Sequence, residues 1–197
     1  MDLENILLNI DTLIETFLME LGMLGGILAC LLIIVESMLP VLPLFVFITL
    51  AFYTFGNWIG FFFCWICTCI GCFISFALFR SKIKNWFEKR IAKPGSKTRK
   101  LMKYIDKMSF ASLATLVAIP FTPAFTINIA AGLSNMSFKK FSYAMLVGKL
   151  FMVYFWGYIG TTLVESLTHP IYLVKIILML VGTFVLSKIV TKYLNID

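Results

Sequence analysis

Residues 21–79 carry a single charged side chain, Glu36, which stands four residues ahead of Pro40 and seven ahead of Pro43. An apolar run of that length belongs in a bilayer, because about 20 residues of helix already cross the roughly 30 Å hydrocarbon core. Backbone in that environment must satisfy its own hydrogen bonds, so the chain folds as helices. A carboxylate placed there beside helix breakers marks a functional position, because an isolated charge in hydrocarbon is expensive to keep.

The rest of the chain obeys the same solvent. Of its 197 residues 60% are hydrophobic and 14% charged, with a mean hydropathy of +0.95, whereas soluble domains carry about 25% charged residues. The expected fold class is therefore an all-α polytopic membrane protein. Met1 to Glu20 holds five acids and no Lys or Arg, unlike the basic start of a cleavable signal peptide, so the mature chain is expected to begin at Met1. Residues 1–20 read as an amphipathic helix, with Leu3, Leu7, Ile10, Ile14, Phe17 and Leu21 along one face.

The charge distribution orients the chain. Net charge is +7, and all 17 Lys and Arg residues lie at Arg80 or later. Residues 80–107 form a basic block that includes Arg80, Lys82, Lys84, Lys89 and Arg90, against only Glu88 and Asp106. The positive-inside rule puts this block in the cytoplasm. Ile83, Trp86, Phe87 and Ile91, then Leu101, Tyr104, Ile105 and Met108, recur at helical spacing, predicting two short helices on the inner leaflet. Such a segment anchors to anionic headgroups. It lacks a nucleic-acid recognition motif, so no nucleic-acid partner is expected.

From that block outward, residues 54–79 make a span running from outside to inside. Residues 141–164 and 171–193 make two more, joined by an external turn containing His169 and Pro170. Two apolar segments fit no simple span. Residues 22–55 are broken by Pro40 and Pro43, and residues 109–135 by Pro120 and Pro123. Each interior proline removes a hydrogen bond and costs about 3 kcal/mol, so two within four residues end a helix. Both segments are expected to be re-entrant hairpins, entering from opposite sides. The fold is then an inverted repeat of two opposed, proline-broken hairpins with three or more transmembrane helices. Paired broken segments of this kind point to a transporter site at the repeat interface.

These residues resemble the DedA proteins and their SNARE-associated Golgi protein relatives, the VTT superfamily, over roughly residues 36–160. The likeness rests on Glu36-Ser-Met-Leu-Pro40-Val-Leu-Pro43, Gly56-x-x-x-Gly60, residues 71–80, Ile119-Pro120-Phe121-Thr122-Pro123, and above all the run from Asn128 through Gly132 and Ser137 to Phe141, followed by Gly148. It implies two opposed re-entrant hairpins and movement of lipids, either phospholipid or undecaprenyl phosphate. Two departures place the chain nearer the Golgi-protein-like bacterial branch: residues 44–50 lack a second acid, and Val117 stands where many relatives carry arginine. The implied setting is a bacterial plasma membrane.

The chemistry expected of the site follows. Helices starting after Pro43 and Pro123 would expose free N–H groups and a positive dipole end, which bind phosphate. Glu36, Pro40, Pro43, Pro120, Thr122, Pro123, Thr126, Asn128 and Gly132 form the expected binding and gating set. Protonation of Glu36 would let an anionic headgroup pass. Arg80, Lys82, Lys84, Lys89 and Arg90 form the expected surface anchor.

Cys64, Cys67, Cys69 and Cys72, with Cys30, read as small packing residues, because no second ligand set accompanies them. No metal, cofactor or enzymatic chemistry is expected, since no nucleophile and base can be paired. Membrane lipids are the expected partners, with protons and a second copy of the chain as further partners. Two other function classes remain open on the residues alone. One is a small-ion or proton-coupled transporter, and the other a non-catalytic scaffold recruiting partners through residues 80–107.

Overall fold

A computed structural model describes residues 25–38, 44–81, 97–122, 124–166 and 171–193. Among them every regular element is a helix. They are α1 (Gly25–Met38), α2 (Leu44–Ser81), α3 (Lys97–Lys107), α4 (Phe110–Ala118), α5 (Ala124–Leu133), α6 (Phe138–Ser166) and α7 (Ile171–Tyr193). Three of them, in α2, α6 and α7, are long and apolar enough to cross a membrane. The expected N-terminal amphipathic helix and the stretch holding Lys82, Lys84, Lys89 and Arg90 lie outside the described residues, as do Pro40, Pro43 and Pro123.

Helix α2 is not one rod. Gly56 sits at φ 77°, ψ 169°, a conformation essentially confined to glycine, and the chain folds back there. A Cβ built on Gly60 would lie 2.6 Å from the Ala51 carbonyl oxygen and 2.8 Å from Phe52 Cα. In an unbroken helix those nine residues would span about 13 Å. Residues 44–55 thus return antiparallel to residues 57–81. The Gly56-x-x-x-Gly60 motif, read from sequence as a helix-packing pair, divides its labour: Gly60 makes the close contact, while Gly56 makes the corner and has nothing within 4 Å of its Cβ position.

Helix α1 runs beside the longer arm of α2. Cys30 Sγ lies 2.7 Å from Cys67 Sγ, and a Cβ on Gly71 would meet Ser37 Cβ and the Ile34 carbonyl at 2.6 and 2.7 Å. On the other side α6 runs antiparallel to that arm, with Trp65 Nε1 donating to the Leu146 carbonyl at 2.9 Å and Phe76 stacking on Phe141 at 4.5 Å. The cysteines fill this packing: Cys64, Cys67, Cys69 and Cys72 are all buried.

The second half is built on α6. Ser109 caps α4 by accepting from the Ser112 N–H, and α4 ends at Ile119, whose extended backbone (φ −74°, ψ 119°) is what a following proline enforces. The Thr122 N–H then donates to the Ile119 carbonyl at 3.1 Å, closing a turn. Helix α4 lies along α6, where a Cβ on Gly148 would touch Val117 and Ala114. Helix α5 returns along α2 and meets Phe76 and Phe79 at Gly132.

Two apolar clusters result. One joins α1, both arms of α2 and α6 around Ile33, Ile48, Phe52, Cys64 and Val153. The other joins α2, α4, α5 and α6 around Phe76, Leu113, Ile127, Phe141 and Met145. Ile105 and Met108, read from sequence as the lipid face of a surface helix, are buried in that second cluster. Protein offers α3 a closer-packed partner than the inner leaflet does. Helix α7 packs on α6 and is the least enclosed, with 6% of its apolar window buried against 50% in α2 and α6.

Candidate functional site

The last turn of α1 brings Glu36 and Ser37 against the second half of the molecule. A helix end leaves carbonyls without intrahelical partners, and Asn128 of α5 answers one of them, its Nδ2 donating to the Ser37 carbonyl at 3.3 Å. Asn128 is fully buried, and its Oδ1 has no hydrogen-bond partner among the described residues. This contact ties the end of α1 to the middle of α5 across 91 residues of sequence.

Beside that contact opens a cleft of about 280 Å³. Glu36 and Ser37 line it from α1, Leu44 and Phe45 from the start of α2, and Ala124 and Phe125 from the start of α5. The first turns of α2 and α5 therefore meet in one cavity, and a helix N-terminus carries partial positive charge. Val117, Pro120 and Thr122 close the side formed by α4 and its turn, and Lys149, Met152 and Trp156 the side formed by α6. Phe45 packs edge-on to Trp156 at 5.4 Å. Phe121, at the tip of the turn, packs on Trp156 at 5.9 Å and Phe184 of α7 at 6.4 Å.

Lys149 stands well inside an apolar span, a position from which a lysine can either snorkel to the surface or face inward. It is 1% exposed and faces the cleft opposite Glu36. An acid and a base thus meet in an otherwise apolar cavity, where reduced dielectric lengthens the reach of each charge. The available signal was one lysine well inside an apolar helix, and the periodicity of α6 does not say which way it points, because that helix is apolar on most sides.

The other expected site residues separate. Glu36, Pro120 and Thr122 line the cleft, and Asn128 stands behind it. Thr126 is half-buried outside it. Gly132 lies at the far end of α5, packed on Phe76 and Phe79.

Arg80, expected as a surface anchor, is half-buried against the end of α5. Its Nη2 donates to the Ala131 carbonyl at 3.4 Å and to the Met136 carbonyl, and its guanidinium lies 4.9 Å over the Phe76 ring. It caps the C-terminal end of α5, where carbonyls lack partners and a cation complements the helix dipole.

Residues 42–162, more than half of the chain, match the VTT domain. The chain is 30% identical over 175 residues to the uncharacterized membrane protein YhjE of Bacillus subtilis, covering 87% of this chain and 83% of that one. It is 25% identical over 130 residues to the uncharacterized protein YqeD of the same organism, covering 66% of this chain and 62% of that one. No solved structure matches significantly. A domain match over more than half of the chain, with a relative aligned over most of its length, places this chain in the VTT (DedA) family of membrane proteins.

Proposed function

We propose that this protein moves lipids between the leaflets of a bacterial plasma membrane. The headgroup crosses through the cleft while the acyl chains stay in the bilayer. One observation carries the reading: Glu36, Lys149 and the N-termini of α2 and α5 converge on a single cleft of about 280 Å³. Free N–H groups at helix N-termini bind phosphate, which phospholipids and undecaprenyl phosphate share. The cleft volume lies just below the roughly 300–1,000 Å³ of small-molecule pockets, which suits a headgroup and leaves no room for its chains.

In this reading α1 with residues 44–55, and α4 with α5, are two re-entrant hairpins entering from opposite faces. The fold-back at Gly56 and the turn after Ile119 support it. Glu36 gates passage, releasing or taking a proton as the headgroup moves. Headgroup desolvation is the main obstacle to leaflet exchange, and a polar cleft at bilayer depth lowers it.

The test is reconstitution of the purified chain in liposomes containing labelled phospholipid or undecaprenyl phosphate. Leaflet exchange is followed for wild type and Glu36→Gln. Exchange in wild type and its loss in a folded Glu36→Gln protein are expected. Proton flux without movement of any lipid would replace this reading with ion transport.

A further inference from the structure

We propose that Lys149 and Glu36 form a two-charge subsite that selects a zwitterionic lipid headgroup, the phosphate held by Lys149 and the ammonium by Glu36. The inference rests on the lipid-translocation reading and adds what that cleft recognises.

Lys149 is held in place. Its neighbour Gly148 lets α6 approach α4 so closely that a Cβ there would lie 2.7 Å from Val117 and 2.8 Å from the Ala114 carbonyl oxygen. The α6 backbone is therefore fixed where the lysine leaves it. The side chain is 1% exposed, so its ammonium reaches neither leaflet surface, and a buried charge is tolerated only where something answers it. Among the described residues Glu36 is the one acidic side chain lining the same cleft.

The two sides of the cleft differ in kind. Thr122 and the N-termini of α2 and α5 add hydroxyl and N–H donors, which together with Lys149 suit phosphate oxygens. Glu36 is a hydrogen-bond acceptor when ionised, and the cleft is also lined by Phe45 and Trp156, aromatic side chains of the kind that attract an ammonium.

Charge balance makes the arrangement selective. With both residues charged the subsite is neutral, and a phosphate-plus-ammonium headgroup leaves it neutral while pairing each charge. A headgroup with a phosphate alone pairs Lys149 but sets its negative charge beside Glu36 without an ammonium to offset it. The expected occupant is a phosphatidylethanolamine-type lipid rather than a phosphatidylglycerol-type one.

The experiment is native mass spectrometry of the detergent-purified full chain with equimolar phosphatidylethanolamine and phosphatidylglycerol, beside leaflet-exchange assays of the same two lipids. Wild type is expected to retain phosphatidylethanolamine about tenfold over phosphatidylglycerol, the scale of one charge-assisted hydrogen bond. Lys149→Gln is expected to lose that retention and Lys149→Arg to keep most of it. Glu36→Gln is expected to bring the ratio to one or below, because the lysine then stands alone. Should Lys149→Gln not fold, the wild-type ratio and the Glu36→Gln and Lys149→Arg variants decide. Equal retention of both lipids by wild type, or an unchanged ratio in Glu36→Gln, overturns the subsite. Selective retention without leaflet exchange supports the subsite and removes the translocation reading. Exchange without selective retention does the reverse.

Discussion

The two broken-helix halves reach one cleft by different physical means. The first half, α1 and α2, makes its return with backbone alone: Gly56 turns the chain in a conformation open essentially to glycine, and Gly60 and Gly71 let the arms touch. The second half, α4 to α6, has close approaches of its own at Gly132 and Gly148 but adds side-chain latches: Arg80 binds the end of α5, Asp106 of α3 accepts from the Asn135 N–H at 3.1 Å, and Ser109 caps α4. The difference follows the charge distribution. The end of the molecule that the positive-inside rule assigns to the cytoplasm is rich in charged residues near water, where latches of this kind are cheap to maintain. The opposite end, around Gly56, draws on residues 1–79, which hold no Lys or Arg, and relies on steric fit there.

If that contrast is right, the first half should be the more sensitive to a single added carbon. Gly71→Leu has the largest expected effect, because its Cβ would overlap Ser37 and the Ile34 carbonyl and push α1, with Glu36, away from α2. Overpacking that must move backbone costs about 3 kcal/mol or more. Thermal unfolding in detergent should show a large fall in Tm, with lipid exchange lost. Gly182→Leu on the exposed helix α7 is the control: a Cβ there meets nothing within 4 Å, so Tm should hold or rise slightly as helix propensity improves. Next comes Gly56→Ala, expected to cost about 2 kcal/mol through backbone strain alone, since the space around that position is open. A Tm equal to wild type would show that the corner does not need glycine.

Much of this arrangement was legible in the sequence, for reasons that also mark where legibility ended. Pro120 dictated an extended Ile119 and the end of α4, because that constraint is local. Glu36 stood out because it is a lone charge in a long apolar run. The spans were readable from length and from where the basic residues begin.

What stayed hidden depends on which side of a helix a residue occupies. Lys149 and Arg80 both sit where a cation ordinarily reaches for headgroups, and both turn inward. In a membrane helix the lipid side and the protein side are equally apolar, so the spacing that reveals a buried face in water carries little information. Ile105 failed in the opposite direction: its helix is amphipathic, and periodicity located an apolar face without saying whether lipid or α5 covers it.

The smaller predictions probe the latches of the second half. Arg80→Gln should cost about 1–2 kcal/mol, since it loses charged hydrogen bonds to two carbonyls at a half-buried position. It should also raise hydrogen exchange at the end of α5 more than in α1, because the carbonyls it frees belong to that end.

Asp106→Asn should have the smallest effect, about 0.5–1 kcal/mol, because its bond to the Asn135 N–H is exposed and an amide oxygen still accepts, though without the charge. Its value lies in the pairing with Arg80→Gln. Asp106 holds the loop before α6 from the α3 side, while Arg80 holds the same loop, through Met136, from the α2 side. If the two act as one clamp, the double variant will lose stability by clearly more or less than the sum of the singles, since residues sharing a structural element couple. Additive losses in Tm, with α5 exchange no faster than in Arg80→Gln alone, would mean that α3 merely rests on the second half, leaving Arg80 as the side-chain latch on the end of α5.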